Sequence, residues 1–254
     1  MPRTVSYFSA GVPSAVATKL AIASGEDVTI YNFEIDEEHD DNKRFLADCQ
    51  EWFGQEIITV GNDKYGRSAR RVFRETSYLV GPGGARCTGE LKKAMRWEVG
   101  LPDDRIVMGY TKEEQHRIDR LLASEPLLVM WPILIEKDLM REDVMALFQR
   151  TGIELPAMYN LGYRNNNCIG CVKGQAGYWN KIKIDFPERF AEMAAIEREL
   201  GRTICKREWT DPDGTRQLER IYLDELPPDL GNYPTEQEFQ CGIFCQMAEQ
   251  DFAA

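Results

Sequence analysis

The chain has 254 residues, 43% of them hydrophobic, and a formal net charge of −11. Such a length gives one large domain, or one domain with a small appendage, around a sizeable core. The acid excess argues against broad nonspecific nucleic-acid binding, and the longest apolar stretch, Leu127 to Ile135, is too short and too interrupted by Trp131 and Pro132 to span a membrane.

The N-terminus, MPRTVSYFSAG, carries neither the apolar region nor the cleavage site of a signal peptide, so a cytoplasmic location is expected. Thr4 to Ser9 reads as a strand and Pro13 to Ser24 as a helix closed by Gly25. Asp27 to Phe33 is a second strand. Asn42 to Phe53 is an amphipathic helix with Phe45, Leu46, Cys49, Trp52 and Phe53 on one face. Strands follow at Glu56 to Val60, Arg105 to Tyr110 and Leu127 to Ile133, with helices at Lys112 to Leu122 and Asp138 to Arg150; Gly152 suits the cap of the last. Alternating strands and helices predict an α/β fold, with a mainly parallel twisted sheet flanked by helices. Residues 1–155 are expected to form this domain, and residues 156–254 a CxxC loop, a helix pair split at Pro187 and an irregular cysteine-containing extension folded back onto the sheet.

The segment YFSAGVPSAVATKLAI sets small residues between a strand and a helix. Ser9, Ala10, Gly11 and Ser14 leave room for phosphate oxygens to approach the backbone, where amides and helix dipole favour an anion. Asp36, near the carboxyl end of the second strand, stands where open α/β sheets bind ligands and suits a ribose or a metal. Between Lys64 and Arg96 there are nine basic residues against two acidic ones. They form either a solvated helix face or a local anion site.

Seven cysteines are many for a reducing compartment, which points away from disulfides and towards metal or thiol chemistry. Cys168 and Cys171 form a CxxC in a Gly- and Asn-rich loop, Cys241 and Cys245 form a second pair, and Cys87 lies in the loop GPGGARCTGELKK. Cys87, Cys168 and Cys171, with Cys245 as a fourth, are the expected metal ligands. Cys49 and Cys205 are expected in the core, His39 in a solvated loop, and Tyr178 and Trp179 in packing.

Several of these stretches resemble the phosphoadenosine phosphosulfate (PAPS) reductases of the PP-loop, adenine nucleotide α-hydrolase-like, superfamily. FSAGVPS resembles the loop Ser-Gly-Gly-x-Asp-Ser, with Ala10 in place of a glycine and Pro13 in place of the acidic residue. LPAMYNLGYRNNNCIGC, MGYTKEEQHRIDR and QCGIFC resemble the family's stretch into CxxC, its arginine-bearing region and its C-terminal Glu-Cys-Gly-Ile-His motif. The likeness spans roughly residues 4 to 245 and is nearest to a PAPS-reductase-like group of bacteria and bacteriophages. It departs in having a single Cys87 where iron–sulfur members carry adjacent cysteines, and Phe244 in place of a histidine.

The resemblance implies a Rossmann-like fold and an adenine nucleotide, PAPS or ATP, over the loop, with Gly109 beside it. It implies Cys241 as nucleophile, Arg117, Arg86 and Lys92 as cations for phosphate and sulfate, and a dithiol reductant. A [4Fe–4S] cluster is the expected cofactor, zinc the alternative. Pro13 cannot hold Mg²⁺ as the acidic residue of ATP-cleaving members does, which favours a sulfonucleotide. Two other readings stay open: ATP-dependent sulfur transfer to a nucleobase or tRNA, in which three cysteines would leave one iron open, and a zinc-stapled nucleotide-binding protein without activity. The assembly state is left open, a homodimer among the options.

Overall fold

The computed structural model describes residues 2–81 and 84–233. The central sheet is built from β1 (Thr4–Tyr7), β2 (Val28–Phe33), β3 (Ile57–Val60), β6 (Arg105–Val107) and β7 (Val129–Trp131), in the order β3-β2-β1-β6-β7 with every pairing parallel. The short strands β4 (Val80–Gly81) and β5 (Gly84–Ala85) form a separate ladder. All of β1 is buried, as befits a central parallel strand covered on both faces. This is the expected α/β, Rossmann-like class. Because β1 pairs with β2 on one side and β6 on the other, the chain reverses direction beside the carboxyl end of β1, where open α/β sheets leave a crevice.

Helix α1 (Val12–Ala23) crosses from β1 to β2 with small residues nearly all round, so it sinks between the sheet and its neighbours. Pro13 lies in its first turn, one residue inside the start. Helix α2 (Asn42–Phe53) has the expected bounds, ending at Gly54 with φ of 68°. With α7 (Ile133–Glu136) and α8 (Arg141–Gln149) these helices build one core around Phe8, Leu20, Phe45, Phe53, Leu134 and Phe148.

A second core lies beyond the strand ends. It joins α3 (Ala69–Thr76), α9 (Ala157–Asn160), α10 (Ala176–Asp185) and α11 (Pro187–Leu200) through Phe73, Met158, Tyr163, Trp179, Ile182 and Ile196. After the β4–β5 ladder comes a long helical stretch, α4 (Arg86–Thr88), a wide π turn (Gly89–Lys93) and α5 (Ala94–Val99), and α6 (Gln115–Ser124) follows β6.

Four expectations need correction. The strand placed at Leu127 to Ile133 is shorter, because Pro132 ends it and Ile133 already turns helical. The helix placed from Asp138 starts at Arg141, since Asp138 itself sits at φ of 58°. The strand from Arg105 stops at Val107, before the backbone bends onto α1 at Gly109. Finally, the described part of the C-terminal extension is not irregular. It forms an antiparallel hairpin, β8 (Cys205–Thr210) and β9 (Arg216–Ile221), turned at Asp211–Gly214, whose buried feet Cys205 and Ile221 join the second core rather than the sheet. Among the described residues no helix is long and apolar enough to cross a membrane.

Candidate functional site

The β1–α1 turn is bent by Ala10, a non-glycine residue held at φ of 53°, followed by extended Gly11. Such a backbone is disfavoured for a side chain and survives where its surroundings enforce it. Here they do. The Asn166 side chain donates to the Ala10 carbonyl at 2.6 Å and to Asn42 Oδ1 at 2.8 Å. Ser14 Oγ donates to the Gly11 carbonyl at 2.8 Å and accepts from the Ser9 amide and hydroxyl. Gly109 presses on the turn from β6: a Cβ there would lie 2.3 Å from the Ser14 amide nitrogen.

Not every donor of the turn faces outward. The Val12 amide donates to the Tyr159 hydroxyl at 3.4 Å, and Pro13 has no amide hydrogen. The amides of Ala10 and Gly11 make no hydrogen bond within the described protein, and Ser9 is exposed above them. Beside them Asn166 Oδ1 is buried with no hydrogen-bond partner. The turn thus combines two backbone donors without protein partners and an exposed hydroxyl at the sheet's switch point.

Cys87, Cys168 and Cys171 come from two distant segments and line one open pocket, with Phe73, Val172 and Met193 among its apolar walls. Its far wall is a chain of paired charges. Glu37 accepts from Arg70 Nε at 2.9 Å, and Glu192 pairs with both Arg70 and Arg189. Glu37 is also spent on capping α3, accepting from the Ser68 hydroxyl at 2.6 Å and the Ala69 amide at 2.7 Å. The three thiols are half-buried, whereas Cys49 and Cys205 are buried in the cores as expected.

Burial pushes the Cys87 thiol up to about 11, with the neighbouring Cys171 adding to it. Burial also raises Cys168 well above a free thiol, helped by Glu38. Lys92 answers from the π turn. Burial works against its ammonium, but Glu38, at 3.9 Å, and the three cysteines outweigh this and raise its pKa. A π turn in a helix is a common device at functional sites, and this one carries Lys92 a short way beyond Cys87.

One short segment links the turn to the pocket. Residues Asn166 to Ile169 run from the Ala10 carbonyl to the Glu37 carbonyl, which accepts from the Ile169 amide at 2.8 Å. Cys87, Cys168 and Cys171 offer three sulfur donors to the pocket. Among the described residues, however, no three His, Cys, Asp or Glu side chains form a group arranged to hold a metal ion. The expected fourth ligand Cys245 and the expected nucleophile Cys241 lie outside the described residues.

The remaining expected residues fall elsewhere. Lys92 is the cation at the cysteines. Arg86 pairs with Glu90 at 2.8 Å, and Arg117 pairs with Glu114 and lies over the Tyr110 ring. Asp36 is exposed, its amide donating to the Arg67 carbonyl. The basic run from Lys64 to Arg96 is neither a bare solvated face nor an open anion site. Arg67, Arg70, Arg74 and Arg96 pair with Glu34, Glu37 and Glu192, Glu199, and Glu125, acids from distant parts of the chain.

Sequence reasoning missed Tyr159, Asn166 and the hydroxyl of Tyr178. For the first two the signal was their nearness to the CxxC; for the third the packing role was read correctly and the hydrogen bonding was not. No protein-family model matches the chain, and no curated protein matches it significantly. The fold alone defines the class: an α/β arrangement of the nucleotide-binding type.

Proposed function

We propose that the chain is a PAPS-reductase-like enzyme: it seats an adenine sulfonucleotide over the β1–α1 turn and reduces it by thiol chemistry. The observation that carries this reading is the linking segment, in which Asn166 holds the Ala10 carbonyl two residues before Cys168 lines the cysteine pocket. A nucleotide phosphate on the Ala10 and Gly11 amides would set its distal groups beside that pocket.

The chemistry follows from the resemblance. The Cys241 thiolate attacks the sulfur of the sulfonucleotide; the sulfur–oxygen bond to the phosphate breaks, and the nucleotide leaves with that oxygen. A dithiol then attacks the Cys241 sulfur of the resulting thiosulfonate, releasing sulfite and ending as the disulfide. Lys92 offsets negative charge at the site. A cluster on Cys87, Cys168, Cys171 and a further cysteine would supply local charge and order, and no bond-making step depends on it.

The test is sulfite release from PAPS by anaerobically purified protein, with metal analysis and a visible spectrum of the same sample. Turnover with PAPS and a dithiol supports the reading. ATP cleavage with sulfur delivered to a nucleobase would replace it by sulfur transfer, which the three-cysteine set favours. Binding of nucleotide without any turnover would leave the non-catalytic role.

A further inference from the structure

The CxxC turn poses a local problem. It closes with Gly170 at φ of 79°, and this brings the Cys168 carbonyl and the amides of Gly170 and Cys171 to one side of the loop, away from strand or helix partners. A buried backbone group left unsatisfied costs about 1–3 kcal/mol. One side-chain oxygen serves all three. The Tyr178 hydroxyl accepts from the Gly170 amide at 3.1 Å and the Cys171 amide at 3.0 Å, and donates to the Cys168 carbonyl at 3.2 Å.

The phenol is held for this task. Tyr178 lies in the first turn of α10 and is buried. Its ring fills the space left by the missing side chain of Gly174, where a Cβ would stand 2.0 Å from the ring. Tyr163 and Tyr233 box it in at 5.8 Å between ring centroids. The next residue, Trp179, closes on Gly170 from the other side, 3.2 Å from where a Cβ would be. With the Ile169 amide fixed on the Glu37 carbonyl, the turn is clamped at each of its four residues.

We propose that Tyr178 is the positioning residue of the cysteine site: its hydroxyl, rather than its ring, fixes the turn in which Cys168 and Cys171 share a pocket with Cys87. The role rests on reading that pocket as part of the sulfonucleotide site. It gives the phenol oxygen a purpose that packing does not, since phenylalanine would fill the same space.

The experiment compares wild type, Tyr178→Phe and Tyr163→Phe. The last removes a neighbouring buried hydroxyl, bonded to Asp185 rather than to the turn. Amide hydrogen exchange at Gly170 and Cys171 is expected to accelerate roughly tenfold or more in Tyr178→Phe, and to stay unchanged in Tyr163→Phe. Alkylation by iodoacetamide, followed for each cysteine by peptide mass spectrometry, is expected to change at Cys168 and Cys171 while Cys49 and Cys205 stay protected. Unchanged exchange at the two amides, equal effects in both variants, or exposure of Cys49 and Cys205 as well would overturn the role, the last by showing that the variant loosens the core. In sulfite release the expectation is a lower kcat at unchanged KM for the nucleotide. A wild type that releases no sulfite removes the reductase reading, while exchange and alkylation still decide the role of Tyr178.

Discussion

Around α1 the buried polar groups are neutral. Ser6 and Thr18 share a hydrogen bond of 2.7 Å, Asn32 donates to the Phe8 carbonyl at 2.9 Å, and Asn42 accepts from Asn166. Around α11 the corresponding work falls to carboxyl groups. Glu37 caps α3, and Glu197, fully buried, accepts from the amides of Ile204 and Leu223 and so ties α11 to the hairpin and to the segment after it. The first core lies between a sheet and the helices that cover it, where ladders already satisfy most of the backbone. The second joins loops and helix ends, whose free amides need acceptors with two oxygens. The two regions should therefore respond differently to packing changes and to pH.

The largest effect is expected where backbone meets backbone. Gly109→Val sets side-chain atoms against Pro13 and Ser14, so urea unfolding should show a loss of about 3 kcal/mol or more, together with loss of nucleotide binding. A variant of wild-type stability would mean that β6 does not hold the turn.

The next effect belongs to the second core. Burial pushes Glu197 from 4.5 up to about 7. The folded chain then binds the extra proton more readily than the unfolded chain, so this contribution is fully present below pH 4.5 and is lost as pH rises through 7. The fall should approach about 3 kcal/mol across that window, and Glu197→Gln should flatten it in denaturant melts taken at several pH values. If the slope persists in Glu197→Gln, another group is responsible.

Smaller again is Asn32→Ala in the first core, which strands the Phe8 carbonyl. A loss of about 1–2 kcal/mol is expected, and it should not vary between pH 4.5 and 7; pH dependence there would erase the contrast between the cores. Smallest is Arg117→Ala. An exposed pair with Glu114 and a ring contact predict a change in melting within about 0.5 kcal/mol. Any drop in affinity for a sulfated or phosphorylated nucleotide in that variant, read by calorimetry, then belongs to the ligand rather than to the fold.

The contrast also explains what the sequence made legible. The elements of the first core repeat apolar residues at strand and helix periods, so β1, α1, β2, α2 and β3 can be placed within a residue or two. The β8–β9 hairpin escaped because CKREWT and RQLERI expose nearly every side chain, leaving no alternation to read, although the turn DPDG was visible. Cys168 and Cys171 announced themselves by spacing, and Cys87 by its glycine-rich loop. Their second layer did not. Tyr178 reaches the CxxC only because a helix starts at Ala176, and Asn166 reaches Ala10 across the whole first domain. The charge run from Lys64 misled for a similar reason: its neutralising acids, such as Glu37, Glu192 and Glu199, are remote in sequence.

The π turn at Gly89–Lys93 carries a historical consequence. A helix with one wide turn holds one residue more than regular winding would allow over the same rise. A shorter relative, with one residue fewer between Cys87 and Lys92, could run a regular helix from end to end and would still hold the two on one face, four residues apart, because a regular helix has 3.6 residues per turn. Insertion of one residue is thus absorbed by the wide turn, which leaves Lys92 close enough to Cys87 for their charges to interact.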